Sequence, residues 1–142
     1  MSNPENYLAT LKCYSQTFPR SRVHLEDYRS IKNDHDSVIT LKIKESDKGV
    51  VYGDLNTDKS DISTKFEGQI TQDNHGRFNL KFIKLEGSVD IQYSLIERSP
   101  TPKENKNFCY LEGTWHPDPY VDSRYKGLAC VEVSRLDLEQ LL

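Results

Sequence analysis

From residue 37 onward the hydrophobic pattern of the chain has a period of two. In "SVITLKIKE", Ile39, Leu41 and Ile43 share one face and Lys42 and Lys44 the other. That alternation belongs to a strand with one buried and one wet side. "DKG" then reads as a turn, and "VVYGDL" resumes the alternation through Val51, Gly53 and Leu55. "TDKSD" breaks the pattern before "STKFEGQIT" places Phe66, Gly68 and Ile70 on one side. "QDNHGR" is a hairpin signal, because Asn, Asp and Gly tolerate the positive φ of tight turns.

"RFNLKFIKLEG" alternates through Phe78, Leu80 and Phe82, then changes phase at Ile83 and Leu85. A change of phase within a strand predicts a bulge. "SVDIQYSLIERS" turns Val89, Ile91, Tyr93 and Leu95 inward. "PTPKENKN" and "HPDPYVDSR" read as polar loops, with the strand "FCYLEGTW" between them. "YKGLACVEVSRL" is the last strand, and "DLEQLL" suits a short helical turn. Near the start, "NYLATLKCYSQTF" fits a strand or a short amphipathic helix about equally, and "RVHLEDYRSI" reads as a strand. The sum is about seven to nine short strands separated by polar turns, which predicts an all-β antiparallel up-and-down meander closing into a small barrel, with at most short terminal helices.

One string recurs: "FEGQI" at 66–70, "LEGSV" at 85–89 and "LEGTW" at 111–115. Glycine weakens a strand unless it relieves a crowded site. In a tightly coiled barrel, Gly68, Gly87 and Gly113 would avoid collision with the facing wall. Glu67, Glu86 and Glu112 are then expected on the solvent face, where charge discourages edge pairing. The unequal spacing of the copies argues against an internal duplication.

At 142 residues the chain fits one domain spanning 1–142. Only 35% of its residues are hydrophobic, but eight Tyr, five Phe and one Trp set it apart from a disordered polymer. The net charge of −3 gives no footprint for nucleic acid. No run of about 18 apolar residues suggests a membrane span, and "MSNPENYLAT" does not read as a signal peptide. Cys13, Cys109 and Cys130 are odd in number and lack CxxC spacing. They read as reduced structural thiols in a cytoplasmic protein.

The meander from 37 to 135, together with Gly113-Thr114-Trp115, resembles the calycin-type barrels: lipocalins, fatty-acid-binding proteins and avidins. That resemblance implies a hollow barrel that binds a small molecule. In lipocalins and avidins the Gly-x-Trp lies in the first strand, whereas here it lies in the penultimate one. The arginine that covers the tryptophan there is matched only loosely by Arg135. No family site residue therefore carries over.

The expected function is non-enzymatic binding of a small apolar or amphipathic ligand, with Phe66, Ile70, Phe82, Ile91, Tyr93 and Trp115 lining the interior. No cofactor is expected. His116, Asp118 and Asp122 in "WHPDPYVD" are weak metal candidates, since Asp and Pro in such a loop serve turns equally well. His24 stands in strand-like text, while His35 and His75 sit in turn-like text. Tyr93, or Tyr110 if it faces inward, is the titratable group to expect in a barrel, and no catalytic motif accompanies either. The alternatives are a protein-interaction or immunity-type module with a filled core, presenting Tyr52, Tyr120 and Tyr125, and an enzyme with its site in the barrel mouth. An open barrel would also invite homo-oligomers through its edge strands.

Overall fold

The computed structural model describes residues 7–17, 35–85, 90–97, 107–118 and 126–142. The alternating segments form eight strands: β1 (Ala9–Thr17), β2 (Ser37–Asp47), β3 (Val50–Thr57), β4 (Ser60–Gln72), β5 (Phe78–Leu85), β6 (Asp90–Glu97), β7 (Phe108–Asp118) and β8 (Gly127–Ser134). Among the described residues, one short helix, α1 (Arg135–Leu141), follows β8 without a loop. Each strand pairs antiparallel with its sequence neighbour, and β1 pairs with β8, so the sheet is a closed barrel. Closure removes the open edge through which strand-to-strand association would run.

The ambiguous N-terminal segment is a strand. Leu11, Cys13 and Ser15 face inward against Leu41, Ile39 and Ser37. "RVHLEDYRSI", Gly87, Glu86, Val89, Tyr120, Asp122 and Tyr125 lie outside the described residues. The β2–β3 connection is the two-residue turn Lys48-Gly49, both at positive φ. That geometry matches the twist of the flanking strands. "QDNHGR" closes the β4–β5 hairpin around Asp73, whose carboxylate accepts bonds from the backbone N–H of His75 and Arg77.

Two boundaries, one register shift and one face differ from expectation. The phase change at Ile83 and Leu85 is not a bulge: β5 keeps one register from Phe78 to Leu85 against β4. Ile83 simply points outward half-buried, and Leu85 outward and 44% exposed. The register shifts instead between Ile43 and Glu45 of β2, and between Leu55 and Thr57 where β3 meets β4. β7 runs on through His116 and Pro117, which read as loop, because Pro117 stands opposite Ile91 near the strand's end. α1 begins at Arg135, two residues before the helical text.

The inward residues form one hydrophobic cluster that includes Leu41, Leu55, Phe82, Leu95, Leu111 and Val131. Gly113 explains how β7 packs against β6. A Cβ there would fall on the carbonyl oxygen of Ser94 and within 3.0 Å of Leu95 Cα. The collision that glycine avoids is with the adjacent strand's backbone, not with the facing wall. Glu67 is exposed as expected, but Glu112 is not. It points outward yet is only 4% exposed, as are the outward Gln16 and Cys130, and Leu128 beside them is also buried. The outer surface around Gln16, Glu112, Leu128 and Cys130 is therefore covered, where sequence alternation predicted a wet face.

Candidate functional site

At one end of the barrel α1 lies across the opening with Leu138 and Leu141 buried. It is tied to β6 by Arg135 Nη2 to Glu97 Oε2 at 2.6 Å and to β2 by Ser46 Oγ donating to Leu141 O at 2.6 Å. The other end, where β1, β3, β5 and β7 finish, is called the mouth.

On the mouth half, four inward rings from four successive strands form a row. Phe66 meets Phe82 edge-on with centroids 6.2 Å apart, and Phe82 stacks on Tyr93 at 4.4 Å and 7°. Tyr93 reaches Trp115 at 6.4 Å. The register requires this, because Gly68 pairs with Phe82, Phe82 with Tyr93, and Tyr93 with Trp115. Such offset and edge contacts suit the ring quadrupoles. Ile91 extends the same wall opposite Pro117, and Ile70 sits further down β4 opposite Leu80. All six residues singled out from the sequence thus face inward and are buried. Four of them touch ring to ring.

Trp115 is oriented by two features. Its indole Nε1 donates to Gln16 O at 3.3 Å. Its ring also lies where a side chain at Gly127 would stand. The indole is thereby seated against β8 and β1.

The sequence reading missed the wall across from the rings. Ser15 and Thr17 on β1, Ser37 on β2, Thr57 on β3 and Thr64 on β4 share the inward face of their strands. Ser15 Oγ donates to Ser37 O and Thr64 Oγ1 to Leu55 O, each at 3.4 Å, and Ser37 Oγ donates to Asp58 Oδ1 at 3.4 Å. Extending the Ile43–Leu41–Ile39 alternation two residues toward the N-terminus reaches Ser37, so that signal was present in the sequence. The mouth half therefore has a ring-bearing wall on β4 to β7 and a hydroxyl-bearing wall on β1 to β4.

The other candidates are placed as follows. Tyr110 points outward, with its hydroxyl 3.4 Å from Glu132 Oε1, so it is no part of the lumen. His116 is outward on β7, with Nδ1 2.9 Å from Pro117 O, and Asp118 ends the same strand. Among the described residues no three His, Cys, Asp or Glu groups gather where they could hold a metal ion. The three thiols are free and buried. Burial pushes the Cys13 thiol well above its ordinary range, and burial followed by the charge of Glu97 pushes Cys109 up to about 12. Neither is an activated nucleophile.

Outside the barrel, the β2 bulge brings Lys44 beside Asp54, giving a cluster with Lys65 and Tyr7. Lys65 Nζ is 2.6 Å from Asp54 Oδ1, Lys44 Nζ 3.0 Å from Oδ2, and the Tyr7 hydroxyl 3.3 Å from Oδ2. The hydrogen bond from Lys65 is the main cause that holds the Asp54 carboxyl below its usual range; Lys44 adds to it, against the opposing effect of burial. Lys44, Asp54 and Lys65 border an outer groove of ≈ 350 Å³ that also touches Tyr52, Phe66 and Leu85. A second outer groove, ≈ 430 Å³, is lined by Gln69, Lys81, Ile83, Gln92, Ser94 and His116, among others.

No described helix is long and apolar enough to cross a membrane. The chain matches no protein-family model, no curated protein and no solved structure.

Proposed function

We propose that the barrel binds a small amphipathic molecule in its mouth half, without chemistry, in the manner of the calycin-type barrels that its closed eight-stranded meander resembles. One observation supports the reading: a continuous ring wall, Phe66–Phe82–Tyr93–Trp115, shares the barrel interior with inward hydroxyls on β1 to β4. Binding sites for small molecules combine mostly apolar walls with a few placed polar groups. The apolar part of a ligand would lie on the rings and its polar end would exchange hydrogen bonds with the hydroxyls. The test is equilibrium binding of a polarity-sensitive dye. The reading expects saturation at one dye per chain and competitive displacement by a long-chain fatty acid or alcohol. Linear, unsaturable uptake would show that the barrel is a filled scaffold.

A second reading, a protein-interaction module, is favoured by the outer groove beside Asp54. There Tyr52 and Leu85 are 43% and 44% exposed next to Lys44 and Lys65. Aromatic side chains bordered by charge are common anchors of interfaces. Under this reading, Tyr52→Ala abolishes capture of a partner and leaves dye binding unchanged.

A further inference from the structure

The C-terminal helix is poorly equipped to hold its own shape. It has seven residues, its N-cap Ser134 makes no side-chain cap bond, and no basic residue occupies its last turn. Its first residue, Arg135, is a cation at the end of the helix that favours anions. Helices this short are marginal in water without tertiary support.

Among the described residues, the support comes from a few contacts. Leu138 and Leu141 are buried over the closed end of the barrel. Ser46 holds the last carbonyl of the helix, and Asn107 O accepts the backbone N–H of Arg135 at 2.8 Å. The strongest tie is Glu97, an inward carboxylate with its side chain 3% exposed. One of its oxygens accepts from Phe78 N at 3.2 Å and the other from Arg135 Nη2 at 2.6 Å. The Arg135 guanidinium also lies over the Phe78 ring, 5.3 Å from its centroid. Cys109 lies at the same end, inward and buried on β7 opposite Val133, which stands two residues before Arg135. Helix, ion pair and thiol form one cluster at one end of the barrel. The other inward thiol, Cys13, lies higher on β1, opposite Ile39 and Val131.

We propose that α1 is a reversible plug, released as a unit from the barrel end when the Glu97–Arg135 pair opens, and that its release gives small molecules access to the lower interior, Cys109 first. The plug is independent of whether the mouth binds a ligand. Structural units held by few contacts open well below the free energy of global unfolding. The device follows from that rule, because α1 is seven residues long and lacks an N-terminal side-chain cap, while the strands around it are paired on both sides.

The test is alkylation of the full chain by iodoacetamide in native buffer, with each cysteine followed by peptide mass mapping. In the wild type, Cys109 should react at least about tenfold faster than Cys13, although both are fully buried, because local opening precedes global opening. Arg135→Gln should speed Cys109 further by about tenfold and leave Cys13 unchanged. If that variant does not fold, Ser46→Ala removes the other anchor without touching a charge and should act in the same direction. Equal rates for Cys109 and Cys13 in the wild type would overturn the proposal, because the helix would then leave only when the barrel unfolds. Variants that accelerate both thiols alike, or neither, would overturn it as well.

Discussion

Gly113 and Asp54 carry the clearest consequences at the scale of single residues. A side chain at Gly113 would fall on the Ser94 carbonyl, so β6 and β7 would have to separate to admit it. Valine is a better strand former in general, yet Gly113→Val should lower stability by about 1–3 kcal/mol, as overpacking does. Urea denaturation measures this, and an unchanged midpoint would count against the close approach. Asp54 has a folded pKa below its unfolded value. Its contribution is therefore fully present above the ordinary carboxylate range, near pH 4, and is lost as pH falls through the folded value. Lys65 is 71% exposed, so solvent screens the pair and the contribution is modest. Asp54→Asn should flatten the acid limb of the stability profile below about pH 4. An identical limb in wild type and variant would contradict this. Trp115 was legible as inward because its alternation with Cys109, Leu111 and Gly113 is unbroken. Glu112 was not legible, because a charged residue in alternating text reads as solvated and only the fold shows its side of β7 to be covered.

Among elements, β2 and β5 show what alternation conveys and where it misleads. In β5 the apolar Ile83 and Leu85 imitate a change of phase, although they are outward residues bordering the two outer grooves. In β2 the true irregularity falls in "IKE", where polar neighbours leave no apolar period to interrupt. The helix was visible only as leucine spacing, and its role as an end cap required the tertiary contacts. That role predicts a sharp asymmetry among its leucines. Leu138→Ala should cost about 2–5 kcal/mol, the range for a buried leucine. Leu136, 60% exposed, should tolerate alanine within about 0.5 kcal/mol. Denaturation of the two variants side by side checks this, and equal effects would mean that α1 is not docked as described.

For the whole molecule, closure was the feature furthest from the sequence. The meander order follows from short polar turns, but the β1–β8 seam joins Cys13 to Val131 across most of the chain. Nothing local encodes it. The same seam places Cys13 inward and Cys130 outward on neighbouring strands, since Tyr14 pairs with Cys130. Two thiols on opposite faces of a sheet cannot reach disulfide geometry. The melting temperature should therefore not move on adding dithiothreitol, and a substantial drop would contradict the free-thiol state.

The central claim is that the ring wall of the mouth half receives a ligand, and Trp115 reports on it directly. It is the chain's one tryptophan, buried, and in line with Tyr93. The account predicts blue-shifted emission from the free protein. It further predicts a saturable change in that emission on titration with a long-chain fatty acid or a neutral aromatic amphiphile, reduced in Tyr93→Leu. Blue-shifted emission that no amphiphile alters would contradict the binding claim and leave the fold intact. Emission at the wavelength of hydrated indole would contradict the inward placement of Trp115 itself.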